Sequence, residues 1–283
     1  VRTAFIAGPG HIFAVSDFSA IEARVLSWVA GERWRLEIFE THGKIYEASA
    51  AMMYGVPIEK VTKGSEMRSR GKIAELALGY QGGVGAMKQM GGEEMGLSEN
   101  DMADIVAKWR RNNPKIKTLW ETLERAALRT VSTGNDTRLH AHADIVFRYD
   151  GAALLIFLPS GRHLTYWSPK IFEGKFGRPA LKYKGLNQMT RKWEFVDTYG
   201  GKLTENVVQA IARDLLAHGL MNLETAGFET VMHIHDEAVV RVPEKNSEAS
   251  LEQVDELFAT GPEWSSGLPL DADGYLTPYY KKD

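Results

Sequence analysis

"TVMHIHDEAVVRV", residues 230–242, sets two short apolar runs around a polar knot of His235, Asp236 and Glu237. β-branched runs of this length read as strands, so the knot falls where a hairpin turns. Asp is an ordinary turn residue and Glu an ordinary solvent-facing one, and taken alone the stretch says no more than that. A second stretch changes its meaning. "HIFAVSD" (11–17) reads as a buried strand ending on Asp17, followed by helical spacing through Trp28. If these strands pair in one sheet, the carboxylates converge. Helices dominate the first half, and strands from both ends must meet to close the core. That order is α+β.

The remainder of the chain fits this frame. Residues 44–80 read as helix in two pieces, broken around "YGVPIEK". A helix starts at Ser98, with Met102, Ile105, Val106 and Trp109 as its apolar stripe. Asn113-Pro114 interrupts it, and Ile116, Leu119, Trp120 and Leu123 continue as a second helix. Between 143 and 200 the pattern turns to strand, with a Pro-Ser-Gly turn inside "ALLIFLPSGRHLTYWS"; residues 205–226 return to helix. No repeat or low-complexity linker interrupts the chain.

At 283 residues, 44% hydrophobic and 25% charged, the composition is that of an ordinary globular protein. No apolar run approaches a membrane span, and the N-terminus lacks a signal-peptide pattern. A cytoplasmic setting without a membrane partner fits. With no cysteine, disulfides and thiolate metal sites are excluded, leaving carboxylates and histidines as ligands. The first residue is Val1 rather than Met, so the chain is read as a fragment of something longer. A net charge of −3 argues weakly against nucleic acid, but the charge is unevenly spread. Residues 170–192 hold seven basic side chains (Lys170, Lys175, Arg178, Lys182, Lys184, Arg191, Lys192) against Glu173 alone. Residues 244–273 hold eight acidic side chains against Lys245. Such asymmetry leaves a local positive surface for phosphates, or merely two solvated faces.

Two converging carboxylates without thiolates form a hard oxygen site suited to Mg²⁺. A pair of such ions can activate a 3′-hydroxyl and clamp an in-line phosphoryl displacement. The phosphates need cations. "MRSRGKIAELALGYQ" (67–81) spaces Arg68, Lys72, Leu76 and Tyr80 four apart, one drifting helical stripe that could hold a triphosphate at one end and stack a base at the other. By itself this is equally an amphipathic helix with exposed cations.

Together, "DFSAIEAR" (17–24), "RSRGKIAELALGY" (68–80) and "HDE" (235–237) resemble, in order and spacing, motifs A, B and C of the family A DNA polymerases, in a style closest to phage-encoded members. Motif A keeps Asp17, Ser19, Ile21, Glu22 and Arg24; motif B keeps Arg68, Lys72 and Tyr80; motif C matches outright. The segment "VRTAFIA" also looks like the family's lead into motif A. The resemblance implies a template-directed DNA polymerase core that adds a deoxynucleotide to a primer 3′-hydroxyl and releases pyrophosphate. Its fold would be a polymerase palm, an antiparallel sheet with helices, plus a helical fingers subdomain. The implied division is palm over 1–30, fingers over 31–130 with the motif B helix within 67–81, and palm again over 131–283, with thumb and exonuclease domain absent.

Carried over residue by residue, the resemblance gives Asp17 and Asp236 as ligands of two Mg²⁺ ions, for which Mn²⁺ can substitute, with the Phe18 carbonyl helping. Glu237 supports the site. Arg68 and Lys72 bind the incoming dNTP, Lys72 also serving as proton donor to pyrophosphate, with Tyr46 near the phosphates. Leu76 and Tyr80 line the nucleotide site, Tyr80 stacks at the templating position, and Glu22 closes the pocket against a 2′-hydroxyl. Primer–template DNA is contacted by Tyr80, Gln209, His235 and Arg24. An upstream thumb or exonuclease segment, or a separate subunit, is a further expected partner, in a bacterial or phage-infected cell. Departures are Leu76 for the motif B aromatic, Ala20 for Gln, Gln81 for the Gly after the tyrosine, and the unmatched strand-rich 143–200. Competing readings are a single-subunit RNA polymerase relative, disfavoured by Glu22 and His-Asp-Glu, and a non-catalytic nucleic-acid-binding remnant.

Overall fold

A computed structural model describes residues 2–140, 143–174 and 177–281. Lys175, counted in the basic segment above, lies outside them. The chain divides into two compact units, one of residues 1–25 and 210–283 and the other of residues 26–209.

The first unit is built on a four-stranded antiparallel sheet of order β10-β1-β9-β8. Its strands are β1 (His11–Phe18), β8 (Glu229–Ile234), β9 (Glu237–Pro243) and β10 (Ala272–Thr277). The expected hairpin is β8–β9, and β1 pairs with β9 from the far end of the chain, Val15 opposite Val239. Strand alternation sorts the residues. Phe13, Val15 and Val239 close one face with Ala7 and Tyr280, while Phe18 stacks on Phe258 of helix α9 (Ser247–Phe258). Neither α9 nor β10 announces itself in a segment dominated by acidic side chains.

The second unit carries the helices α2 (Arg33–Thr41), α3 (Ile45–Tyr54), α4 (Glu66–Leu78), α5 (Val84–Gln89), α6 (Glu99–Asn112) and α7 (Pro114–Thr133). Local chemistry sets the boundaries. Ser98 and Asp101 form a reciprocal capping box at the start of α6, and Pro114 opens α7 at a position where its missing N–H costs nothing. The strand-rich region is a separate antiparallel sheet in sequence order, β2 (Thr137–His140), β3 (Asp144–Tyr149), β4 (Ala153–Phe157), β5 (His163–Glu173), β6 (Pro179–Leu186) and β7 (Trp193–Thr198). One of its faces is buried through Phe147, Leu154, Ile156, Tyr166 and Leu181, and α7 packs on the sheet. Strands β2–β7 share no ladder with the four-stranded sheet, and they group with the helices they cover. Two helices, α1 (Ile21–Ala30) and α8 (Gly200–Thr225), run across the unit boundaries. Among the described residues no helix is long and apolar enough to cross a membrane.

Candidate active site

In the first unit the β-ladder does the positioning. Asp17 lies opposite Glu237 on β9 and opposite Asp273 on β10. Facing residues of an antiparallel pair have Cα atoms about 4.5–5.5 Å apart with side chains on one face, so three carboxylates stand abreast across the sheet. The Phe18 N–H donates to the Asp236 carbonyl at 3.2 Å, tying the end of β1 to the hairpin turn. That turn has two residues, His235 and Asp236, between the paired Ile234 and Glu237. His235 takes φ +55°, the positive value a tight hairpin needs at its first central residue. The side chain of His235 is exposed and that of Asp236 half-buried. Glu237 is buried and accepts a hydrogen bond from the Tyr280 hydroxyl.

Like charges directly opposite one another weaken a sheet. The row of Asp273, Asp17 and Glu237 is therefore an arrangement that a cation relieves. Among the described residues no group of three or more His, Asp or Glu side chains is arranged to hold a metal ion by itself. Mg²⁺ is commonly bound by one or two carboxylates while water and substrate phosphates complete its shell. The expected donor set of Asp17, Asp236 and the Phe18 carbonyl is all oxygen, as Mg²⁺ or Mn²⁺ prefers.

Arg24, expected at the DNA, is held by the fold. It is only 1% exposed, donating from Nε to the Ser19 carbonyl at 2.6 Å, from Nη1 to the Pro269 carbonyl at 2.8 Å and from Nη2 to Asp271 at 3.1 Å. A guanidinium so committed braces the turn between β1 and α1. Glu22, two residues earlier on α1, is exposed.

Behind the ladder, the Ser16 hydroxyl donates to Asp255 on α9. Burial raises the Asp255 carboxyl above the ordinary aspartate range; the Ser16 bond opposes this, Asp273 adds to it, the Gly274 N–H opposes it and Asp271 adds to it. The folded chain thus holds this proton more tightly than the unfolded chain. Stability is gained as pH falls through the raised value and lost as the group ionises above it. Asp255→Asn keeps an acceptor for Ser16 and removes the charge. Its urea midpoint at pH 7 is expected to exceed that of the parent, with a flatter pH dependence from about pH 4 upward. A lower midpoint with the same pH slope would contradict this account.

In the second unit, α4 carries Arg68, Lys72 and Leu76 on one stripe, Arg68 half-buried and the other two exposed. The helix ends at Leu78, so Tyr80 stands in the following turn rather than on the stripe. The indole of Trp120 donates to the Gly79 carbonyl at 2.9 Å, and Gln81 takes φ +68°. That left-handed backbone explains why glycine suits the position in the family's pattern. Here the Gln81 side chain compensates by accepting from the Gly201 N–H at 2.8 Å. A Cβ on Gly201 would come within 2.3 Å of the Tyr80 carbonyl, so this contact admits only glycine.

Helix α3 meets α4 at Gly71, where an added Cβ would lie 2.3 Å from the Tyr46 carbonyl. The close approach sets the Arg68 guanidinium 5.6 Å from the Tyr46 ring centroid and lets Arg68 Nε donate to Glu47 at 2.6 Å. Burial raises the Tyr46 pKa, Glu75 adds to this, Arg68 opposes it and Glu47 adds to it, so the phenol stays a hydrogen-bond donor at neutral pH. Gln209, on α8, is exposed. Sequence reasoning missed Glu47, Tyr280 and Asp273. Glu47 adjoins Tyr46 in the chain, and a helical cation meant for phosphate needs a carboxylate to hold it; Tyr280 and Asp273 carry no such local signal.

Residues 1–141 match the family model for DNA polymerase family A. The DNA polymerase of Bacillus phage SP02 is 53% identical over the full chain, which spans 43% of that relative. The DNA polymerase I of Rhizobium leguminosarum is 23% identical across 96% of the chain and 23% of its own length. Among solved structures, the POL domain of Pol1 from M. smegmatis, in complex with DNA primer-template and dNTP, superposes with a TM-score of 0.65 at 18% identity, over 99% of this chain and 42% of that one. The chain thus spans less than half the length of these relatives. An acidic hairpin paired to an acidic strand, a cationic helix in its expected place in the chain and a 53% identity to part of a phage polymerase along the whole of this chain lead to one assignment: the chain belongs to DNA polymerase family A, as part of its polymerase domain.

Proposed function

We propose that this chain is the catalytic core of a Mg²⁺-dependent, template-directed DNA polymerase working in a bacterial or phage-infected cell. The observation that carries the reading is the pairing of Asp17 against the His235-Asp236-Glu237 turn. It needs the two ends of the chain to meet, and it would be a costly place for acids without a cation. In this reading the first unit acts as palm and helices α2–α7 as fingers.

Asp17, Asp236 and the Phe18 carbonyl would hold the divalent ions, which when bound would supply Lewis-acid stabilisation of the charge on the reacting phosphate. The chain's own residues do the rest. Glu237, fixed by Tyr280, keeps the turn in register. Arg68 and Lys72 grip the triphosphate, and Lys72 gives a proton to the leaving pyrophosphate. Glu47 is a positioning residue: its bond to Arg68 Nε leaves the two Nη groups for phosphate, in the fork geometry that suits it. Tyr46 orients the phosphates through its hydroxyl, Leu76 and Tyr80 line the base and sugar, and His235 and Gln209 face the primer and template.

Primer extension with Mg²⁺ and dNTPs, by the chain alone and with a thumb-bearing segment supplied, tests the reading. Template-dependent addition in either arm is expected; none in both would leave the non-catalytic remnant. Sugar choice tests the assignment of Glu22. Glu22→Ala is expected to raise ribonucleotide incorporation relative to deoxyribonucleotide by at least tenfold, about 1.4 kcal/mol of lost discrimination. An unchanged ratio places the gate on another residue.

A further inference from the structure

The strand-rich region outside the family model has a face with unusual chemistry. Strand alternation puts Trp167, Lys170, Lys182, Lys184, Trp193 and Phe195 on the side of the six-stranded sheet opposite to the buried one. In the ladder Trp167 faces Lys184, which faces Phe195; Lys170 faces Lys182. Trp193 is 61% exposed, Trp167 49% and Phe195 37%. The Lys170, Lys182 and Lys184 ammonium groups lie 5.0, 5.4 and 5.7 Å from the Phe195 ring centroid. Asp197, opposite Lys182, is the one acid of β6 and β7 on this face.

Two ordinary explanations fall short. Lysines guard sheet edges against pairing, but β5 and β6 are interior strands of this sheet. Scattered apolar side chains need no explanation, yet these indoles and the phenyl ring lie on β5 and β7 with the lysines of β6 between them. Flat π-surfaces alternating with cations on an open sheet face are what unpaired bases and their phosphates require.

We propose that the open face of β5–β7 binds single-stranded DNA, the aromatic rings stacking bases and the three lysines neutralising phosphates. Charge complementarity selects this occupant over a protein, because a protein-binding core is depleted in lysine. The inference does not depend on polymerase activity. It holds for binding alone.

The test is fluorescence anisotropy of labelled oligo-dT with the intact chain, titrated at several salt concentrations. Trp193→Ala with Phe195→Ala is expected to weaken binding by roughly ten- to a hundredfold without changing the salt dependence. The triple variant Lys170→Ala, Lys182→Ala, Lys184→Ala is expected to weaken it and to make the log–log salt slope shallower by about 2, near 0.7 per phosphate released. All five side chains point away from the α7-packed core, and an unchanged circular dichroism spectrum and melting profile verifies folding. Binding by both variants within twofold of the parent, with the same slope, overturns the proposal. So does tenfold tighter binding of oligo-rU than of oligo-dT, or a self-association in sedimentation that Trp193→Ala abolishes while DNA affinity stays constant.

Discussion

Asp17→Asn and Asp236→Asn are each expected to reduce nucleotide addition by at least about a thousandfold, on the order of 4 kcal/mol of transition-state stabilisation, while the fold is kept. Asp17 sits at the end of the β1–β9 ladder and Asp236 in a two-residue turn, so an amide of the same shape disturbs neither strand. What it removes is a negative oxygen from a donor set that has only two carboxylates and a carbonyl to offer. A second readout separates this cause from misfolding. Asp17 lies between Glu237 and Asp273 in the sheet, so without divalent ions Asp17→Asn should raise stability by about 0.2–1 kcal/mol by relieving facing like charges. Loss of activity with an equal or higher urea midpoint is the expected combination. Single-nucleotide insertion above about a hundredth of the parent rate by either variant would remove the two carboxylates from the reaction.

The largest stability effect is expected far from any acid–metal chemistry, at Arg35 and Glu75. Both side chains are buried and form an ion pair inside the second unit. Glu75 also accepts from the Trp109 indole at 2.9 Å, while Arg35 donates to the Ser27 hydroxyl at 2.8 Å and to the Asn113 side chain at 3.2 Å. This network joins α2, α4 and α6. Truncating one partner strands the other charge in a medium that cannot solvate it, at a cost of roughly 3–5 kcal/mol. Glu75→Ala should therefore lower the urea midpoint severely. The double variant Arg35→Met with Glu75→Leu removes both charges and should lose no more than Glu75→Ala alone, with the orphaned indole and amide accounting for about 1–3 kcal/mol. A single-variant loss below about 1 kcal/mol, or simple additivity in the double, would show that water reaches the pair.

These two networks differ in how visible they were. The carboxylates of Asp17 and Asp236 were legible because each closes a short apolar run, and the helical cations because a spacing of four survives in any helix. Arg35 and Glu75 were not, since each sits among charged neighbours that look solvent-facing until the partner appears. The same reason hid Glu47 behind Arg68. Arg24 shows the reverse, a motif residue whose structural partners the chain does not announce. A motif arginine reads as a DNA contact, but its partners, the Pro269 carbonyl and Asp271, are remote in sequence.

The sequence by itself determined the α+β order, the chemistry of the acidic hairpin and the family, because period, turn residues and motif spacing are local properties of the chain. Tertiary structure alone decided the rest. The strand register sets Asp273 and Glu237 beside Asp17, the ladders close 137–198 into a sheet of its own, and alternation leaves aromatics and lysines together on that sheet's open face. Each of these depends on which strand pairs with which, and pairing is a contact between distant residues that no single stretch encodes.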